Sequence, residues 1–197
     1  MAHYFDPSPG ATSAEETVAV ALGDVAFTMQ TDRGVFSHGR LDAGTAVLLR
    51  AAPPLPATGA GLDLGCGAGP IAVTMALRAP ALAVWAVDVN ERARALCAAN
   101  AAANGVEISV AAPDEVPAAV RFDVIWSNPP IRIGKDALHE LLLAWLARLV
   151  PDGTALLVVQ KHLGADSLQR WLTESGWPTS RAASAKGYRL LDVRPWY

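Results

Sequence analysis

Two short stretches of this chain carry residue types that can do chemistry. The first is Asn128-Pro129-Pro130-Ile131. Proline fixes its own φ and pushes the preceding residue toward extended backbone. The loop therefore presents the Asn128 side-chain oxygen and the Pro129 carbonyl as fixed acceptors. Two acceptors in one place suit a planar NH2 group, which has two donors. Bonding both hydrogens pulls the nitrogen lone pair out of conjugation. A rigid turn with no ligand is the plain alternative for the prolines alone. The second stretch is Gly61-Leu62-Asp63-Leu64-Gly65-Cys66-Gly67-Ala68-Gly69-Pro70. Glycines at 65, 67 and 69 allow positive φ and let a ligand lie on the backbone. The helix start that follows has free N–H groups, which favour polar or anionic ligand groups. Here too a tight strand–helix turn is the plain alternative. The spacing is Gly-x-Gly-x-Gly, not the Gly-x-Gly-x-x-Gly of dinucleotide folds. Asp88 follows about twenty residues after the loop, where a carboxylate is placed to accept ribose hydroxyls.

These residues need elements to hold them. Strand 60–64 feeds a helix over 70–79, opened by Pro70 and stopped by Pro80. Residues 82–87 are continuously apolar and end at Asp88. Asn90 caps a helix from Glu91 to about Ala103, closed by Asn104-Gly105. A short strand is expected over 106–110, one or two helical turns at most over 114–119, and a buried strand over 122–126. A helix over 136–150 carries Leu138, Leu141, Leu142, Trp145 and Leu149 on one face. Pro151-Asp152-Gly153 reads as a turn, 154–160 as a strand, and 166–175 as a helix closed by Gly176. Hairpins are expected around Gly23-Asp24 (17–22 with 25–30) and around Lys186-Gly187 (179–184 with 188–193). A short helix over 46–50 takes Asp42 or Thr45 as its cap. Apolar strands that do not alternate, separated by helices, predict an α/β domain with a mostly parallel sheet covered on both faces. The closing hairpin adds one antiparallel strand. Residues 1–16 read as a flexible tail and 17–197 as a single domain.

Composition narrows the functions further. Of 197 residues, 52% are hydrophobic and 18% charged, enough apolar material for a large core. The net charge of −3 is not that of a protein gripping nucleic acid with its whole surface, so any such contact needs a local basic patch. Two cysteines, Cys66 and Cys97, have no metal-binding spacing and make a disulfide framework implausible. No signal peptide and no membrane-spanning run is expected, which predicts a cytoplasmic setting without membrane or metal partners.

The stretch from Asp63 to Gly69 resembles the nucleotide-binding motif of class I S-adenosyl-L-methionine (SAM) methyltransferases. Asn128-Pro129-Pro130 resembles the Asn-Pro-Pro-aromatic motif of family members acting on exocyclic or amide nitrogen, with Ile131 in place of the aromatic that stacks on the target base. The resemblance implies SAM as cofactor and a Rossmann-like, doubly wound seven-stranded sheet of order 3-2-1-4-5-7-6, preceded here by an N-terminal β-hairpin. In that order the glycine loop and the Asn128 loop face each other at the switch point. It implies cofactor contacts from Phe36, Asp63, Gly65, Cys66, Gly67, Gly69, Asp88, Val89 and Asn128. Asp114 is either an adenine contact or a helix-terminal acid. Catalytic roles fall to Asn128 and Pro129, and substrate contacts to Pro130, Ile131, Arg132 and Lys135.

A closer likeness spans about residues 17–194. Gly34-Val35-Phe36-Ser37, Leu41-Asp42-Ala43-Gly44-Thr45, Asn128 to Lys135, Gln160 to Ala165 and Lys186-Gly187-Tyr188-Arg189 together look like the small-methyltransferase domain. That domain is the catalytic half of bacterial ribosomal RNA guanine-N2 methyltransferases. In that family Asp42-x-Gly44-Thr45 lies over the SAM pocket. The likeness implies rRNA or a ribosomal subunit as partner, met through a basic rim of Arg132, Lys135, Lys161, Lys186 and Arg189. The alternatives are N-methylation of a protein glutamine or a small metabolite, and a SAM-binding module without catalysis. The histidines are expected to be structural or solvent-facing, and Trp126 to belong to the core.

Overall fold

The computed structural model describes residues 16–32, 35 and 39–196. Phe36 and the tail expected at the N-terminus fall outside these residues, except Glu16, which opens the first strand. Strands β1 (Glu16–Ala21) and β2 (Ala26–Thr31) form an antiparallel hairpin. Leu22 N–H donates to the Val25 carbonyl at 3.0 Å across the turn. Gly23, at φ +90°, takes the positive φ that a two-residue hairpin loop requires. Helix α1 (Ala43–Ala51) follows, capped by Asp42 and longer than expected.

The remaining elements are β3 (Ala60–Leu64), α2 (Pro70–Arg78), β4 (Ala83–Val87), α3 (Glu91–Ala103), β5 (Ser109–Ala111), β6 (Phe122–Ser127), α4 (Lys135–Leu146), β7 (Leu149–Gln160), α5 (Ala165–Glu174), β8 (Thr179–Ala185) and β9 (Tyr188–Val193). They build a seven-stranded sheet of order β5-β4-β3-β6-β7-β9-β8. Numbered within the sheet, this is the expected 3-2-1-4-5-7-6. β9 runs antiparallel to both neighbours and the other pairings are parallel. Both faces are covered. Ala155, Leu157 and Val159 of β7 pack with α4 and α5. Leu156 and Val158 of the same strand pack with α1, α2 and α3. Trp126 lies in that second layer and is 1% exposed.

Further expected boundaries shift. β5 starts at Ser109 because Val106 closes α3 instead: its N–H donates to the Ala101 carbonyl and that of Gly105 to Ala102, both at 3.1 Å. That pair of bonds is a Schellman closure. Residues 114–119 form turns without a helix. α4 stops at Leu146 because Leu149 pairs with Phe122 in the sheet, while the Arg148 guanidinium lies over Trp145 and Phe122 and donates to Val120 and Pro117 carbonyls. Pro151-Asp152-Gly153 is no separate turn but an irregularity inside β7: the β6 pairing jumps from Phe122↔Leu149 to Val124↔Thr154. Among the described residues no helix is long and apolar enough to cross a membrane, and no cluster of three or more His, Cys, Asp or Glu could hold a metal.

Candidate active site

β3 and β6 are adjacent and parallel, with Leu64 opposite Ser127. The Ser127 hydroxyl donates to the Leu64 carbonyl at 2.6 Å and locks the two strand ends together. The chain leaves β3 toward α2 and β6 toward α4, which cover opposite faces, so a crevice opens between the two loops. After β3 the Gly65 and Cys66 N–H groups both donate to the Val87 carbonyl, at 2.8 and 3.0 Å. Gly65, Gly67 and Gly69 have φ of +75°, +55° and +86°. Gly69 is held by packing as well: a Cβ there would lie 2.6 Å from Cys97 Sγ.

Gly69 is also the N-cap of α2 and has no side chain to cap it. Asp63 supplies the missing acceptor, its Oδ2 taking the Ala72 N–H at 2.9 Å. Expected at the cofactor, Asp63 is 0% exposed and absent from the cavity wall, so it braces the loop from beneath. Burial, reinforced by the nearby Asp88 charge and opposed by the Ala72 hydrogen bond, pushes its carboxyl up to about 8.

The loops border a cavity of about 400 Å³, within the roughly 300–1,000 Å³ common for cofactor sites. Gly65, Cys66, Gly67, Asp88 and Val89 line one side. Asp88 is held rigidly: Oδ2 accepts from Gly67 N–H and Oδ1 from Asn90 N–H, each at 2.9 Å. Burial raises its carboxyl above the usual range. Asn90 itself caps α3, accepting from Arg92 and Ala93. A hydrogen bond to Cys97, followed by burial, holds the Cys66 thiol well above its ordinary value.

The opposite wall carries Asn128, Pro129, Pro130, Ile131 and Arg132. Asn128 Nδ2 donates to Asp42 Oδ1 at 2.7 Å and to Thr45 Oγ1 at 3.2 Å. Its Oδ1 is thereby left as the acceptor. Pro129's carbonyl accepts the Ile131 N–H at 2.8 Å. This is an inverse γ-turn about Pro130 (φ −75°, ψ +74°), and it leaves the carbonyl a second lone pair.

Other expected residues fall elsewhere. Pro113 reaches the wall while its neighbour Asp114 is exposed. Lys135 is exposed at the start of α4, off the wall. Arg189 is not part of any rim: it is 8% exposed and paired with Asp166. Lys161, Lys186 and Arg132 are exposed. His162 faces solvent and His139 stacks on Trp171.

Arg40, Tyr188, Trp145, Met29 and Thr31, none of them expected at the site, also line the cavity. The last two arrive on the hairpin, which Asn100 fastens. Asn100 Oδ1 accepts from Gln30 N–H at 2.7 Å, and its Nδ2 donates to the Gln30 and Ala68 carbonyls at 2.9 and 2.8 Å. Arg78 grips the hairpin tip through Asp24 with two bonds of 2.6 and 2.9 Å. An asparagine within a helix is the only sequence signal for this fastening, and it does not name its partner.

A family model described as "Methyltransferase small domain" matches residues 26–192. The uncharacterized Bacillus subtilis protein YbxB is 33% identical over 196 residues, covering 98% of each chain. A Pseudomonas putida protein named ribosomal RNA small subunit methyltransferase C is 41% identical over 166 residues, covering 80% of this chain and 50% of its own. This chain thus spans about half the length of that relative. The T. thermophilus 16S rRNA N2 methyltransferase, solved with AdoMet and guanosine, matches with a TM-score of 0.82 at 24% identity, over 95% of this chain and 52% of that one.

Proposed function

This chain belongs to the methyltransferase small domain family, and on that footing we propose that it methylates an exocyclic amino nitrogen, guanine N2 of ribosomal RNA. It is a SAM-dependent methyltransferase. The cavity wall fits that cofactor: Gly65 and Gly67 offer bare backbone, and the fixed Asp88 oxygens keep lone pairs for a ribose diol. Val89 covers an adenine from its 42% exposed position. Bound there, SAM supplies a methyl group already activated on sulfonium sulfur.

The chain's own contribution is positioning. Asn128 Oδ1 and the Pro129 carbonyl accept the two hydrogens of the acceptor NH2. Pro130 and Ile131 provide apolar contact for the base. The methylated nitrogen is acidic enough to release its proton to water, so no strong general base is required. Arg40 and Arg132, exposed cations on the cavity wall, supply phosphate contacts at the mouth; Lys135, Lys161 and Lys186 are exposed but off that wall. The rRNA assignment is supported by the named relatives. The orientation of Asn128 carries the amino-nitrogen assignment.

Nucleoside mass spectrometry of rRNA from cells with and without this protein tests the reading. Loss of an N2-methylguanosine on deletion is expected. Unchanged rRNA together with loss of methylated glutamine in a protein would replace it.

A further inference from the structure

Asp42 Oδ1 serves two partners at once. It caps α1 by accepting the Thr45 N–H at 2.9 Å, and it accepts from Asn128 Nδ2 at 2.7 Å. The cap fixes the carboxylate on a helix whose Val47, Leu48 and Leu49 are buried in the core. An asparagine amide has two orientations that exchange its oxygen and nitrogen. In one it presents an acceptor to the cavity, in the other two donors, which would repel an incoming NH2. A carboxylate has no hydrogen to give, so only Nδ2 can face it. Thr45 Oγ1 takes up further Nδ2 bonding capacity at 3.2 Å.

We infer that Asp42 is a positioning residue for the acceptor nitrogen, acting through Asn128 by forbidding the reversed amide. The inference rests on the proposed acceptor role of Asn128. It adds a residue that does not touch the acceptor and predicts its chemistry: position 42 needs a group that both caps a helix and accepts at the distance of Asn128.

Asp42→Ser separates those two needs. Serine caps a helix about as well as aspartate, but its shorter side chain cannot reach Asn128. Turnover of the full chain is expected to fall roughly ten- to a hundredfold, the loss typical of a charge-assisted hydrogen bond. The melting temperature stays close to that of the parent, because the helix cap is kept. Asp42→Asn, which still offers an oxygen, loses less. In an Asn128→Ala background Asp42→Ser adds little further loss. Independently of turnover, the Asn128 side-chain NH2 pair in a 15N–1H spectrum, identified by its disappearance in Asn128→Ala, moves toward solvent-exposed shifts in Asp42→Ser. Movement of that pair without any acceptor turnover in the parent chain would refute the proposed substrate and leave the role of Asp42 standing. An unmoved pair, or equal Asp42→Ser losses with and without Asn128, would overturn the role itself.

Discussion

Asn128 and Asp42, 86 positions apart, meet at 2.7 Å. Their contact joins the loop after β6 to the N-cap of α1, so a strand of the sheet and a helix packed on it together set one amide. The glycine-loop wall of the cavity is built in the same way. Asp88, after β4, takes the N–H of Gly67, after β3. Each wall of the cavity is thus fixed by a hydrogen bond between segments distant in sequence.

Asp88 is the first residue to test. Replacing it with alanine removes the proposed diol acceptor and leaves the Gly67 and Asn90 N–H groups without their partner. Isothermal titration is expected to show SAM bound roughly 100-fold more weakly, the scale of one or two charge-assisted hydrogen bonds. Asp88→Asn retains part of the affinity.

Gly69→Ala tests the packing reason for the third glycine. The added Cβ meets Cys97 Sγ at 2.6 Å and must adopt φ +86°. Strain and overpacking together cost about 2–4 kcal/mol, read as a fall in melting temperature of several degrees. Gly65→Ala has φ strain but open space, and costs about 1–2 kcal/mol.

The glycines show what was legible in the sequence. Their spacing, with Asp63 and Asp88, marks a strand, a turn and a helix, and the alternation of apolar strands with capped helices marks a mostly parallel sheet, while the strand order came only with the family resemblance. The separate duties of the residues were not legible. Asp63 belongs to the motif, but its lack of exposure decides that it caps α2 instead of facing the cavity. Arg189 looks like a rim cation until Asp166 of α5 is found beside it. The β7 irregularity hides in Pro-Asp-Gly, residues that equally suit a turn. For Arg189 and β7 the deciding partner lies in another element, where local pattern carries no signal.

Asn100→Ala tests the hairpin fastening. It strips the Gln30 N–H, the Gln30 carbonyl and the Ala68 carbonyl of their partner. With buried polar groups left unmade, about 2–4 kcal/mol of local stability is lost. Hydrogen exchange at the Gln30 amide is expected to speed up by two orders of magnitude or so, while amides of β6 are unaffected.

The buried Asp63 sets a pH dependence. Its folded value of about 8 lies above the unfolded carboxylate value of 3.8. The folded state therefore binds more protons between those values, and stability falls as pH rises from about 4 to about 8, then levels off. Asp88, also raised, contributes in the same direction. Asp63→Asn, which copies the protonated acid, is expected to flatten the slope by a few kcal/mol across that window in urea melts at several pH values. An unchanged slope would place the proton elsewhere.

The central claim is that the Asn128 loop presents an rRNA amino group for methylation. The most direct measurement incubates the purified chain and its Asn128→Ala variant with SAM carrying a labelled methyl group, and with either naked small-subunit rRNA or assembled small subunits. The RNA is then digested to nucleosides and analysed by mass spectrometry. The account predicts labelled N2-methylguanosine from at least one of the two substrates and a yield roughly a hundredfold lower from the variant. Intact SAM binding with no labelled nucleoside from either substrate, or equal labelling by Asn128→Ala, would contradict it.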